Sequence, residues 1–319
     1  MAIVMGLILP GLIFSVAEKI YADKLPADPV STAQPTETED SDHMLVPIDT
    51  VMVLQENGTV ERMGMDMYLT GVLLGEMPAD FDEEALKAQA IVARTYAQKR
   101  MQTGNKHIQG SVCQVASCCQ SYCSPSAYLQ KGGKQETVDK FHNAVVSTTG
   151  QVLTYQDQLI EATYFSCSGG KTEDALAVWG SQIPYLQAVD SPGEENATHY
   201  KDHIQFTATE FISLLAINPT GVPVTWVGNV TYTAGGGVDT IVIAGKTFRG
   251  VDLRQKLGLY STAFSIVPVG DTVHIYTKGF GHRVGMSQYG AEAMAVSGSD
   301  YTRILSHYYP GTELVSYLD

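Results

Sequence analysis

The clearest amphipathic pattern in the chain predicts a helix at residues 82–103. Apolar or small residues recur there at three- and four-residue intervals on two of the three helix faces, so this helix belongs in a core. Lys87 and Arg94 lie seven residues apart on one stripe beside those faces. Because mostly buried helices rarely carry cations, these two either bind a functional anion or pair with structural carboxylates. Asp80 and Glu83 have the spacing of an N-terminal capping box.

The start of the chain has a different pattern, which predicts an export segment and a tether. Met1–Ala17 contains no charged side chain, so residues 1–20 are predicted to be an uncleaved membrane anchor, with a cleaved signal peptide as the alternative. Acids and prolines accumulate after it without any Lys or Arg, so residues 21–44 are predicted to be a disordered acidic linker. Either segment would place the rest of the chain in an extracytoplasmic position.

Short apolar runs between turn signals predict the remaining elements. An Asn57-Gly58 turn joins two runs into a hairpin. Residues 206–267 predict an α+β lobe inserted into a catalytic unit that spans residues 45–319. The fold class is therefore α+β, a two-lobed unit with a cleft. The other predicted elements are strands at 45–54, 59–64, 152–155, 161–166, 224–232, 240–244 and 272–277, and helices at 139–149, 209–215, 250–257 and 291–297.

Composition and charge narrow the classes of function. The chain has 319 residues, more than one compact core usually holds, which agrees with two lobes. It carries 20 Lys and Arg against 34 Asp and Glu, for a net charge of −14. Nucleic-acid binding depends on basic side chains that neutralise phosphates, so no nucleic-acid partner is expected.

Glu76 is the candidate general acid. It ends an apolar run and is followed by Met77 and Pro78. Apolar surroundings raise the pKa of a carboxylic acid, which can then deliver a proton to a bound substrate near neutral pH. The alternative is an exposed or helix-capping glutamate. If the reaction is hydrolytic, a second carboxylate must come from a nearby group of acids. These are Asp80, Asp82, Glu83 and Glu84.

His107, Cys113 and Cys119 recur at intervals of six residues. Two thiolates and one imidazole suit zinc, with water or a fourth side chain completing the tetrahedron. Five cysteines in an exported chain also allow disulfides. The rival bridges are Cys113 to Cys123 and Cys118 to Cys123.

Two glycine-rich stretches carry the remaining candidates for substrate binding. Paired glycines let the backbone approach a ligand, and neighbouring polar side chains can then hydrogen-bond it. The first stretch offers Tyr164, Ser168, Gly169 and Gly170. The second, residues 278–291, offers His282, Ser287, Gln288 and Tyr289.

Several of these stretches together resemble the stage II sporulation protein D (SpoIID)/LytB family. They are residues 68–96 with the Glu-Met-Pro triplet, the H-x5-C-x5-C-Q-x-Y segment from His107, and the loop at 278–291. The resemblance runs from about residue 45 to 315. It departs at Arg283, where the family usually has glycine, and at Cys118, where it commonly has histidine.

The resemblance implies a peptidoglycan lytic transglycosylase. Glu76 would be its catalytic residue, and the C6 hydroxyl of the muramic acid would attack the anomeric carbon to leave a 1,6-anhydro end. Lys87 and Arg94 match helix residues of the family and would bind the lactyl carboxylate or position Glu76. Some members of the family bind zinc at the His-Cys-Cys segment, where the metal would be structural or site-shaping.

The resemblance also implies a setting and partners. The substrate would be glycan strands stripped of stem peptides during engulfment of a forespore, cut from a mother-cell membrane that faces the intermembrane space. An amidase and a localising membrane protein would be the partners. Two other classes stay open: a glycan-binding amidase enhancer that does not cut, and a zinc hydrolase, which is disfavoured because the ligands lack an adjacent H-E-x-x-H pattern.

Overall fold

A computed structural model of the chain describes residues 49–317, except residue 105. The predicted anchor at 1–20 and linker at 21–44 lie outside these residues. The described part has an α+β fold, as predicted, with nine α-helices and six small sheets. Among the described helices, none combines the length and the apolar character that a membrane crossing requires.

The helices and strands follow one another in three stretches of the chain. The first contains β1 (Thr50–Leu54), β2 (Val60–Gly64), α1 (Met65–Glu76), α2 (Glu83–Thr103), β3 (Val112–Cys113), α3 (Pro125–Gln130), α4 (Gln135–Val146), β4 (Gln151–Tyr155), β5 (Gln158–Leu159), β6 (Tyr164–Phe165), β7 (Gly170–Lys171), α5 (Ala175–Trp179) and β8 (Asp190–Ser191). The second contains β9 (Lys201–Thr207), α6 (Ala208–Leu215), β10 (Val227–Tyr232), β11 (Val238–Ile243), β12 (Lys246–Arg249), α7 (Gly250–Leu257), β13 (Phe264–Val269) and β14 (Thr272–Lys278). The third contains β15 (Met286–Ser287), α8 (Gln288–Val296), α9 (Tyr301–Tyr308) and β16 (Glu313–Ser316).

Helix α2 is the centre of the first core, as its two apolar faces predict. Every side chain from Ala88 to Gln98 is buried, and the helix packs against α1, α4, α8, α9 and β4. The predicted capping box is wrong, because the cap is Asp82, whose carboxylate accepts a hydrogen bond from the Glu84 N–H at 2.9 Å. The carboxylate of Glu83 pairs with Lys87 instead.

A second hydrophobic core lies within the second stretch. Its buried side chains run from Phe211 to Ile275, between the sheets β10-β11-β12 and β13-β14-β9. The predicted insert at 206–267 falls inside this stretch, and the predicted helix at 250–257 has the observed bounds. In the first stretch, α4 begins four residues before the predicted helix, and the predicted strand at 161–166 is reduced to two residues.

The chain returns to the first core after β14. Strand β15 pairs in parallel with β6, so that Met286 lies opposite Tyr164 and Ser287 opposite Phe165. Cys167 and Phe280 form an isolated bridge next to this pair. These contacts bring the glycine-rich loop and the Ser-Gly-Gly turn together, although more than a hundred residues separate them along the chain.

Candidate functional site

Glu76 is the half-buried last residue of α1. Because Pro78 disfavours helical geometry in the residue before it, Met77 is extended and the helix ends at Glu76. Carboxylate oxygen Oε1 accepts a hydrogen bond from the Ser121 N–H at 2.6 Å, and Oε2 lies 3.5 Å from the Gln288 amide nitrogen. Burial raises the pKa of Glu76 above its ordinary value, and hydrogen bonds from Ser121, Gln288 and Tyr164 partly oppose this rise.

A chain of hydrogen bonds sets the orientation of the Tyr164 hydroxyl. The Tyr68 hydroxyl donates to Oε1 of Gln120 at 3.1 Å, and Nε2 of Gln120 donates to the Tyr164 oxygen at 3.1 Å. The Tyr164 proton is therefore left to point towards Glu76. Burial first, and the charge of Glu76 next, raise the pKa of Tyr164, so the hydroxyl keeps that proton.

All three protein groups that hydrogen-bond the Glu76 carboxyl group are donors. These are the Ser121 N–H, the Gln288 amide and the Tyr164 hydroxyl. A protonated Glu76 has its own O–H free for a bound ligand. The elevated pKa and the free proton together suit a general acid. Neither Lys87 nor Arg94 is among the groups that shift this pKa.

Two glycines of α1 allow the segment from His107 to Cys123, the cysteine loop, to lie against this helix. A methyl group on Gly71 would meet the Tyr122 ring at 2.2 Å, and one on Gly75 would meet the Tyr122 backbone nitrogen at 2.9 Å. The Cys123 N–H donates to the Gly71 carbonyl at 2.9 Å. This close approach is what brings Ser121 within hydrogen-bonding distance of Glu76.

The cysteine loop carries a cluster of four candidate metal ligands. The donor atoms of His107, Cys113, Cys118 and Cys119 all lie within 4.8 Å of one another. Nε2 of His107 is 3.4 Å from the sulfur atoms of both Cys118 and Cys119. Cys118 is the addition to the predicted three. Three sulfurs and one imidazole match the donor set of a four-coordinate structural metal site.

Neither of the rival disulfides forms. All five cysteines are free thiols, and Cys123 contacts the Ser124 carbonyl instead of another sulfur. The structure therefore contradicts the disulfide alternative, with its bridges from Cys123 to Cys113 or to Cys118. The cysteines at 113, 118 and 119 are gathered around His107, which fits a metal ion better than a disulfide.

Lys87 and Arg94 of α2 are both engaged within the protein. Lys87 pairs with Glu83 at 2.7 Å and with Glu84 at 2.9 Å on its own helix. Arg94 is fully buried and donates to the Val145 carbonyl at 3.0 Å. Both side chains stabilise the first core in this arrangement, and a direct contact between Arg94 and a glycan would require it to leave its acceptors.

Ser168 and Ser287 meet at a buried carboxylate that sequence reasoning missed. Oε2 of Glu194 accepts from the hydroxyl and N–H of Ser168 at 2.8 and 2.7 Å, and from the Gly169 N–H at 2.9 Å. Oε1 accepts from the Ser287 and Ser191 hydroxyls, each at 2.6 Å. Glu194 thus fastens the Ser-Gly-Gly turn to the loop before α8. No signal in its surrounding sequence distinguishes it from a surface acid.

Backbone geometry explains the first glycine of that turn. Gly169 has φ +77°, and a Cβ there would lie 2.9 Å from the Lys278 backbone carbonyl carbon. Gly170 follows with φ +113° and donates its N–H to the Ser168 hydroxyl at 3.0 Å. The turn therefore packs directly on the end of β14.

His282 and Tyr289 each pack against other aromatic side chains. The His282 ring packs against Phe165 and Trp179 at centroid distances of 5.6 and 5.5 Å. Burial, with the charge of Arg254 next, lowers the pKa of His282 to about 4, so the ring is neutral at pH 7. The Tyr289 ring packs edge-on against Phe81 at 5.0 Å.

Arg283 has a structural role where the resemblance leads one to expect glycine. Its φ is +66°, a left-handed conformation that glycine adopts more readily. The buried guanidinium donates to the carbonyls of Ser168, Lys171 and Gly235 and pairs with Glu173 at 3.2 Å. These bonds compensate the backbone strain and tie the turn between β10 and β11 to the first stretch of the chain.

Comparison with known proteins places these features in a family context. The family described as stage II sporulation protein matches residues 54–155. Stage II sporulation protein D of Bacillus subtilis (strain 168) is 43% identical over 275 residues, which cover 84% of this chain and 79% of that protein. The protein of the same name from Bacillus amyloliquefaciens is 40% identical over 273 residues, with the same coverage. The amidase enhancer of Bacillus subtilis (strain 168) is 28% identical over 302 residues, covering 78% of this chain and 40% of that protein.

Proposed function

Because the chain belongs to the stage II sporulation protein D family, we propose that it is a peptidoglycan lytic transglycosylase with Glu76 as both acid and base. The observation that carries this proposal is the Glu76 carboxyl group, whose pKa is raised by burial and whose protein partners are all donors. The Gln288 amide nitrogen lies 3.5 Å from Oε2 of this carboxyl group, and the Tyr164 hydroxyl also hydrogen-bonds the group.

A single carboxyl group is sufficient for this reaction. Glu76 gives its proton to the glycosidic oxygen as the bond from that oxygen to the anomeric carbon breaks. The carboxylate then takes the proton of the muramic C6 hydroxyl as its oxygen bonds to the anomeric carbon. Glu76 ends protonated and no water is consumed. Nearby acids are engaged elsewhere: Asp82 caps α2, and Glu83 and Glu84 pair with Lys87.

We propose zinc as the ion held by His107, Cys113, Cys118 and Cys119. The bound ion would supply a tetrahedral cross-link within the loop. Gln120 and Ser121 follow Cys119 directly, and they contact Tyr164 and Glu76 respectively. A loop fixed at Cys119 therefore positions the groups that orient the acid, which is a site-shaping role.

The setting is proposed on the same basis. The charge-free segment Met1–Ala17 supports an extracytoplasmic, membrane-anchored enzyme. The names of the relatives support a role in sporulation. Peptide-stripped glycan strands, cut during engulfment, are the proposed substrate that the family resemblance implies. An amidase and a localising membrane protein are the proposed partners, and the name of the amidase enhancer relative supports the amidase alone.

The test is mass spectrometry of the products from peptide-free glycan strands incubated with the protein. We expect 1,6-anhydro-muramic ends with the unmodified protein and none with Glu76→Gln. Glu161→Gln is the matched control, since that half-buried carboxylate pairs with Lys99 and Arg100. Reducing ends instead of anhydro ends would contradict the lytic mechanism.

A glycan-binding amidase enhancer is the second candidate, because one relative carries that name. In that case the unmodified protein and Glu76→Gln would both retain glycan and neither would release products. An enhancer has no need of a carboxyl group whose pKa is raised by burial, so the surroundings of Glu76 favour the enzyme.

A further inference from the structure

An unneutralised pair of lysines lies at one end of the sheet β13-β14-β9. Lys201 and Lys278 are directly opposite each other on β9 and β14, and both are exposed. Like charges in this position destabilise a sheet. Within residues 49–317, apart from residue 105, neither lysine forms an ion pair with an acid, although the chain carries a net charge of −14. An anionic ligand would relieve the repulsion.

Planar side chains continue from the lysines along the same face of the sheet. His203 and Tyr276 are paired across the strands, and their rings stack at a centroid distance of 4.6 Å. Nε2 of His203 lies 3.0 Å from Nδ1 of His274, and the two ring planes differ by only 9°. Together these side chains form one patch, the lysine face, which consists of Lys201, His203, His274, Tyr276 and Lys278. Flat rings beside cations suit a sugar that carries carboxylates.

A shallow cavity of about 390 Å³ opens at the lysine end of this face. Lys201, Lys278 and Tyr276 line it, together with Asp202. Asp202 forms an ion pair with neither lysine, since one carboxylate oxygen accepts the His203 backbone N–H at 2.6 Å and the other lies 3.3 Å from Nδ1 of His199. The cavity lining therefore holds two cations against one carboxylate.

The lysine face lies near the candidate active site. The backbone of Lys278 packs against Gly169 of the Ser-Gly-Gly turn, and Gly169 is five positions after Tyr164, which lies beside Glu76. Five residues span at most about 17 Å, so one polymer can reach both places. Lys87 and Arg94, the cations that the sequence indicated for carboxylate binding, are engaged within the first core.

We propose that the lysine face binds the glycan strand at a distance from the bond that is cut, through the lactyl carboxylates of its muramic residues. This inference rests on the proposed function for its ligand. It adds a binding subsite that favours long strands over short ones.

The experiment measures the affinity of the full-length chain for peptide-free glycan strands by calorimetry, in the Glu76→Gln background that prevents turnover. The test variant is Lys201→Gln with Lys278→Gln. The matched control is Lys246→Gln with Lys256→Gln, which removes the same charge from the same stretch of the chain. We expect the test variant to bind about fivefold to tenfold more weakly and the control to bind normally. Chitin oligomers, which lack carboxylates, bind both variants equally.

Equal affinity of the test and control variants would overturn the proposal. Competition by inorganic polyphosphate is a second check. If polyphosphate displaces bound glycan as effectively as unbound glycan strands do, the proposal is overturned, because the lysine face would then bind anions in general. If binding depends on the two lysines but the unmodified protein releases no products, the lytic function fails and the lysine face stands. If products form normally and binding ignores the lysines, the lysine face alone fails.

Discussion

Replacing Gly75 by alanine tests whether the cysteine loop positions the acid. The added methyl would lie 2.9 Å from the Tyr122 backbone nitrogen and 3.0 Å from the Ser121 carbonyl carbon. Because the first atoms that it meets belong to the backbone, the loop must move by a few tenths of an ångström. The Ser121 N–H, now 2.6 Å from Oε1 of Glu76, moves with it.

The magnitude follows from two opposing effects. Overpacking of this kind costs about 1–3 kcal/mol, whereas exchanging glycine for alanine within a helix returns about 0.5–1 kcal/mol. We expect the free energy of unfolding to fall by about 0.5–2 kcal/mol. The Ser121 hydrogen bond lowers the pKa of Glu76, so a longer bond raises that pKa further. Since the acid must be protonated, the alkaline limit of activity moves to higher pH.

The assay combines urea denaturation with a pH profile of anhydro-product formation. Gly64→Ala is the control, because its φ is −62° and a methyl there meets nothing within 4 Å. We expect the control to keep the pH profile of the unmodified protein and to lose only a few tenths of a kcal/mol. An unchanged alkaline limit in Gly75→Ala, despite a measured loss of stability, would refute the proposed link between the loop and Glu76.

Three further predictions concern other contacts. Burial raises the pKa of Glu76 in the folded state, so the folded protein loses stability as the pH rises from the unfolded to the folded pKa of this group. Glu76→Gln removes that loss and should melt at a higher temperature than the unmodified protein near pH 7. The difference in melting temperature should vanish in acid below both pKa values. Arg283→Gly suits the left-handed backbone but leaves Glu173 buried without its cation, so the free energy of unfolding measured with urea should fall by about 3–5 kcal/mol. A fall below about 1 kcal/mol would contradict this structural role of Arg283. Cys118→Ser should lower the bound zinc measured by elemental analysis, whereas Cys123→Ser, outside the cluster, should keep it; equal zinc in both variants would exclude Cys118 as a ligand.

Local sequence predicted the elements whose own pattern is strong. The predicted helix at 250–257 has the same bounds as the observed helix α7, and the Asn57-Gly58 turn joins β1 to β2 as predicted. Helix α2 begins one residue after the predicted start, because Asp82 caps it. These elements depend on side-chain periodicity and turn chemistry within a few residues. Helix α4 began earlier than predicted, since its first turn at Gln135 carries polar residues that no periodic pattern marks.

Sequence alone determined the α+β class, the resemblance to the family, and the small set of residues that contains Glu76 and the His-Cys cluster. Only the tertiary structure decided what each side chain contacts. It paired Lys87 with Glu83 and directed Arg94 to the Val145 carbonyl. It gathered Ser168 and Ser287 around Glu194. It also added Cys118 to the His-Cys cluster and brought the Ser121 N–H to Glu76. The physical reason is that spacing along the chain fixes which residues share a helix face or strand, whereas hydrogen bonds and burial depend on elements that meet from distant parts of the sequence.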